Sequence, residues 1–201
     1  MKKRKVIIIT DGDETARASA EVVARKVGGR CISLSGFAPR TLTGKEIVEL
    51  ILKAPKEPIF VMVDDKGLSA RGMGERILTY IAKHPAIEIL GVVAVASNTK
   101  KVEGTPVDFS ITKTGEKTKF PVDKYGNSVP TEGFLKGDTV DVLKELNIPI
   151  VVGTGDIGKQ DGADDLRKKA PVTLEAVEEI LHRSGFFNDN NRWESESLKK
   201  S

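Results

Sequence analysis

A single cysteine, Cys31, occurs among the 201 residues. One thiol excludes an intrachain disulfide and any metal site built from several cysteines. It lies in an apolar run, which makes it a buried, reduced side chain; a reactive thiolate needs an activating neighbour that this sequence does not announce. Histidine is almost as scarce, at two residues. His84 precedes Pro85 at a helix end and His182 falls in the last turn of a helix, where a cation complements the helix dipole. Neither has a metal or nucleophile partner in the sequence.

Long hydrophobic runs are also missing. The start Lys2-Lys3-Arg4-Lys5 has the charge of a signal peptide, but its apolar stretch ends at Ile9, short of an h-region. No window reaches the length of a membrane span, so the expectation is a chain made and folded in a cytoplasm, with any membrane association peripheral. Charge of one sign is lacking too: 32 basic residues face 29 acidic ones, a formal net charge of +3, and aromatics make up only 5%. This balance argues against a dedicated nucleic-acid binder. The basic excess sits at residues 2–5 and at Lys199 and Lys200, where solvated tails are the ordinary reading and contact with anionic lipid or a partner the rarer one.

What is present is an alternation of apolar runs and helical periodicities, punctuated by glycine and proline, as in βα units around a mainly parallel sheet. Strands are expected near 5–10, 31–35, 58–63, 88–96 and 148–153. Five such strands suggest a flavodoxin-like (Rossmann-like) three-layer sandwich. Ala16, Ala20, Val23 and Val27 share a helical face that Gly28 and Gly29 terminate. Thr43-Gly44-Lys45-Glu46 has capping-box spacing ahead of Ile47, Leu50 and Ile51. Further helices carry Met73, Ile77 and Ile81, then Val140, Leu143 and Leu146, then Leu174, Val177 and Leu181. Packing on the sheet accounts for all these stripes.

The chain reads as one domain over 1–185. Between 98 and 130 the rhythm lapses: Val107, Phe109 and Ile111 alternate with polar residues before Gly115, which predicts a β-hairpin excursion after strand four and a candidate partner-binding element. From 186 to 201 periodicity gives way to asparagine, serine and charge, a flexible polar tail in which Phe186, Phe187 and Trp193 are the residues able to dock. Two sheet edges and the excursion would allow a homodimer, though nothing requires one.

In open parallel sheets the ligand crevice lies beyond the carboxyl ends of the strands. There the chain places Asp11 and Asp13 after strand one, Asp64 and Asp65 after strand three, Ser97 after strand four, and Asp156 and Lys159 after strand five. A receiver-like phosphoacceptor would use Asp11 and Asp13 for a divalent metal, Asp64 for phosphorylation, and Ser97 with Lys159 to complete the pocket; the proline that usually follows the receiver lysine is absent. Asp11-Gly12-Asp13-Glu14-Thr15 also fits the D-x-D-x-T of haloacid-dehalogenase-like phosphatases, which use magnesium and an aspartyl nucleophile. Against it, the first helix starts at once, leaving no room for their flap. A Toprim-like site lacks one of its two acidic motifs. A calcium site would require about six to eight converging oxygen ligands. The plain alternative is architectural: acids at a helix start cap its N–H groups and complement its dipole, worth about 0.5–2 kcal/mol without any ligand.

The segments "VIIITDGDETA", "VGGRCISLSG", "FVMVDDKG", "HPAIEILGVVAVASNT", "GDTVDVLKELNIPIVVGTGDIGK" and "LEAVEEILHRSGF" together resemble the stage V sporulation protein AE family of spore-forming bacteria, from Lys3 to Phe186. The resemblance implies a spore protein without a membrane span, belonging to the system that moves dipicolinic acid with calcium at the inner spore membrane during germination. It implies the other proteins of that system as partners, no catalytic residues and no resident cofactor. Magnesium or calcium would enter only through the strand-end acids, and with the resemblance those acids also allow a calcium or dipicolinate sensor.

Overall fold

The computed structural model describes residues 2–36, 42–64, 72–98, 102–137 and 139–189. Its centre is β1 (Arg4–Ile9), whose Val6, Ile7, Ile8 and Ile9 are all fully buried. A strand covered on both faces reads as an unbroken apolar run, and successive side chains point to opposite faces. Ile7 and Ile9 accordingly join one core, and Val6 and Ile8 the other. Each such side chain contributes about 1.5–3 kcal/mol by leaving water.

Six further strands complete the sheet: β2 (Arg30–Cys31), β3 (Ile59–Met62), β4 (Ile87–Val95), β5 (Phe109–Ile111), β6 (Lys117–Thr118) and β7 (Val151–Thr154). Their spatial order is β2-β3-β1-β4-β7-β5-β6. All neighbours run parallel except the antiparallel pair β5 and β6. One core lies between the sheet and α1 (Glu14–Lys26) with α4 (Pro171–Arg183); the other lies beneath α2 (Gly44–Lys53) and α3 (Met73–Ala82). Helix α2 opens on the capping box expected from sequence, with Thr43 and Glu46 exchanging hydrogen bonds. Among the described residues no helix is long and apolar enough to cross a membrane.

Three expectations are corrected. Among the described residues the sheet has seven strands rather than five, because the excursion does not leave it: β5 pairs with β7 and carries β6 as a hairpin around Gly115 (φ +83°). The flavodoxin order is not present. Numbering only the five strands read from sequence, that order is second-first-third-fourth-fifth; here it is second-third-first-fourth-fifth. The second strand is outermost in both; the difference is that the first strand pairs with the third and the fourth and so takes the inner place, while the second pairs with the third through Arg30 and Cys31 before Ser33–Ser35 turn into a 3-10 helix. Finally, Val140, Leu143 and Leu146 do not lie on an α-helix. Residues Asp141–Glu145 form a 3-10 helix, with Val142 and Leu143 buried.

The polar tail begins in a docked turn. Helix α5 (Phe186–Asp189) buries Phe186 in the α1/α4 core, with Lys5 Nζ 5.3 Å from the ring centroid. Trp193 and the rest of 190–201 lie outside the described residues, as does Asp65.

Candidate functional site

Parallel strands deliver their carboxyl ends to one side of the sheet, and β1 ends there in Thr10-Asp11-Gly12-Asp13. Thr10 ties the end of β1 to β4, its Oγ1 accepting from Val95 N–H at 2.9 Å. Asp13 is the N-cap of α1 and accepts from Ala16 N–H at 2.8 Å. Its own N–H donates to Asp11 Oδ1 at 3.2 Å. Gly12 is required between them, because a Cβ at that position would stand 2.7 Å from Asp64 Cβ. Asp64, at the end of β3, is thus pressed against the same turn.

The loop after β7 closes the crevice. Lys159 Nζ donates to Asp13 Oδ2 at 2.6 Å and to both Asp156 oxygens at 3.2 Å. Asp11, Asp13, Asp64, Asp156 and Lys159, spread over most of the chain, are therefore one cluster. Ser97 is half-buried beyond β4, its N–H donating to Lys136 O at 3.0 Å.

The acids of this cluster differ. Burial raises the Asp11 carboxyl to about 7, helped by the negative charges of Asp13 and Asp156 and opposed by the Asp13 N–H and Lys159. Burial also works to raise Asp13, but the Lys159 and Ala16 hydrogen bonds outweigh it and hold the carboxyl below its ordinary value. Lys159 answers in kind: burial lowers it, yet the bonds to Asp13 and Asp156 raise it above the ordinary lysine value. Asp11 therefore gains and loses its proton near neutral pH, beside an internal ion pair. Among the described residues, no group of three or more His, Cys, Asp or Glu side chains is placed to hold a metal ion. The ammonium of Lys159 occupies the position between Asp13 and Asp156 that a shared cation would take.

Sequence reasoning missed the residues that hold this loop. Asp164 is fully buried and accepts from Gly158 N–H and Val172 N–H at 2.8 Å, from Thr173 N–H at 3.0 Å and from Thr173 Oγ1 at 2.6 Å. It thus clamps the lysine loop to the start of α4. A signal existed: Ala170, before Pro171, offers no side-chain cap, so the buried N–H groups of α4 need an acceptor from elsewhere. Gln160 is buried with φ +48°, its Nε2 donating to Thr154 Oγ1 at 3.2 Å. Gly126 makes room for it, since a Cβ there would lie 2.3 Å from Gln160 Oε1.

These features define an α/β protein with an open, mostly parallel sheet whose strand-end acids are closed over by a lysine. The chain matches the family described as stage V sporulation protein AE1 over residues 5–184, and it belongs to that family. No curated protein and no solved structure matches the chain.

Proposed function

We propose that this chain is a non-enzymatic accessory component of the spore, supporting germination and calcium-dipicolinate movement at the inner spore membrane by binding partner proteins. Family membership supports the sporulation setting. The observation that carries the non-enzymatic reading is the seating of Lys159 between Asp13 and Asp156. A metal-dependent phosphatase or a phosphoacceptor needs those carboxylates for a divalent cation and its phosphate, and here a covalently attached ammonium bridges them and offsets half of their charge. The acids then serve as architecture: Asp13 caps α1, and Asp156 with Lys159 locks the β7 loop onto that cap.

The reading assigns partner contact to the hairpin. Its tip, Thr112 to Glu116, is held by Thr112 N–H donating to Glu116 O at 2.9 Å while its side chains face solvent. The test is dipicolinate release from spores carrying variants on a folded background. Asp64→Asn spores are expected to release at the parental rate, and spores with Thr114→Arg and Glu116→Arg in the tip to release more slowly. Cross-linking to membrane-embedded spore proteins is expected to weaken in the tip variant. Magnesium-dependent phosphatase activity or autophosphorylation of the purified chain, abolished by Asp64→Asn, would replace this reading with the enzymatic one.

A further inference from the structure

The formal net charge of +3 conceals a basic excess at one end of the strand axis. In a parallel βα fold the strands begin, and the helices end, on the same side of the molecule. On that side Lys2 and Lys3 precede β1, and both are exposed. Arg25 and Lys26 end α1, and Arg30 opens β2; all three are exposed. Lys53 ends α2, Lys56 lies in the turn before β3, and Lys83 caps α3, again all exposed. The opposite end carries the acids of the strand-end cluster together with Asp123, Asp161 and Asp165, but there cations are set against them: Lys159 on Asp13 and Asp156, Lys113 on Asp161 and Arg167 on Asp165.

Complementing helix dipoles explains Arg25, Lys26, Lys53 and Lys83. It does not explain Lys2, Lys3, Arg30 and Lys56, which lie outside helices. Acids on the basic end are few and partly engaged. Glu57 is paired with Arg4 at 3.0 Å, Glu179 is paired with Lys117 and Arg183, and Glu178 lies near Lys26. Glu88 and Glu145 are the exposed acids there. Apolar groups stand among the cations: Leu52 is 43% exposed, and Pro55 and Pro85 are exposed in the turns before β3 and β4.

We propose that this basic end is a docking face for an anionic lipid bilayer, with the acidic strand-end cluster turned away from it. The proposal deepens the reading above by naming the face that meets the membrane. A lipid surface fits better than a nucleic acid because the cations are dispersed over the starts of four strands, not aligned along one element. Lysines and arginines held near an anionic leaflet each add to binding, and the attraction fades within a Debye length, so it must weaken with salt.

The experiment is co-sedimentation of the full chain with vesicles of equimolar phosphatidylglycerol and phosphatidylcholine, or of phosphatidylcholine alone, at low and high salt. Binding to the anionic vesicles only, reversed by salt, is expected. The triple variant Arg30→Glu, Lys53→Glu, Lys56→Glu should bind about a hundredfold more weakly, while Lys136→Glu with Lys168→Glu at the opposite end should bind as the parent does. Absence of binding, equal binding to both vesicle types, equal losses in the two variants, or capture by a DNA duplex but not by vesicles would each overturn the proposal. The wild-type lipid and salt comparisons stand even if the triple variant fails to fold. Vesicle binding is read independently of dipicolinate release, so either reading can fail without the other.

Discussion

Lys159 and Asp13 stand 146 positions apart in the chain and 2.6 Å apart in space, Nζ to Oδ2. The contact joins the turn after the first strand to the loop after the last, so the first α-helix cap depends on residues that follow most of the fold. Lys159→Met removes the bond. Both side chains are nearly half exposed, so solvent screening limits the expected loss to about 1 kcal/mol at neutral pH and low salt. Asp13 lies below 3.8 in the folded protein, so its share of stability is present above 3.8 and disappears as pH falls through the lower folded value. Urea titrations at pH 7 and pH 2.5 should therefore find the variant weaker than the parent at the first and nearer to it at the second. Equal deficits at both would show that the lysine acts through packing alone.

Asp11 has the opposite sign. Its folded value of about 7 exceeds the ordinary 3.8, so the folded protein holds a proton that the unfolded chain has released. The resulting stabilisation is full below 3.8 and is lost as pH rises to about 7. Asp11→Asn fixes a neutral side chain of the same shape, which still offers an oxygen to the Asp13 N–H. Thermal melts at pH 4 should nearly coincide with the parent. At pH 8 the variant should be more stable, by on the order of 1 kcal/mol or more. A variant less stable at pH 8 would mean that the ionised carboxylate is wanted there.

Asp164→Ala should be the most damaging single change in the loop region. It strips the acceptor from three backbone N–H groups and the Thr173 hydroxyl, all at a fully buried position. Buried donors left unmatched cost about 1–3 kcal/mol each at most and relax in part, so a total of about 3–5 kcal/mol is expected in chemical denaturation. Hydrogen exchange should quicken first at Gly158 and Val172. A loss below about 1 kcal/mol would show that other acceptors replace the carboxylate.

Cys31 supplies a probe that needs no mutation. Burial pushes its thiol up to about 12, with the Glu21 charge adding to the shift, and alkylation requires the thiolate. Iodoacetamide at pH 8 should leave the folded chain unmodified for hours and label it stoichiometrically in denaturant. Rapid labelling of the folded protein would show that the β2 edge opens locally.

The inner part of the fold was legible because it obeys one rule at a time. Val6 to Ile9 form an unbroken β-branched run, and Thr43 to Glu46 spell a capping box, so each element announces itself locally. Strand order did not, since the apolar runs of the first and third strands do not tell which of them sits beside the fourth; nor did the length of β2, which depends on where Ile32 turns away, and Ser35 decides that by donating its hydroxyl to Ile32 O and accepting Met62 N–H. The spacing of Val140, Leu143 and Leu146 was misread by a subtler margin: an interval of three without a four is the period of a 3-10 helix, the form adopted by Asp141–Glu145. In the candidate site the acids were visible and their counter-ion was named among them. The clamp was only half legible: the uncapped start of α4 at Ala170 calls for an acceptor from elsewhere, but Asp164 is one of several acids in a loop and only its burial singles it out.

The two outermost strands of the sheet, β2 and β6, are each two residues long. Sheets grow by adding strands to exposed backbone along an edge, and so short a margin offers an incoming chain few hydrogen bonds. The sheet therefore resists runaway end-to-end pairing at both borders, even though its interior strands are as apolar as those of aggregating sequences. Crowding of such molecules at high concentration, as in a dehydrated compartment, would press surfaces together without giving them a template to polymerise on.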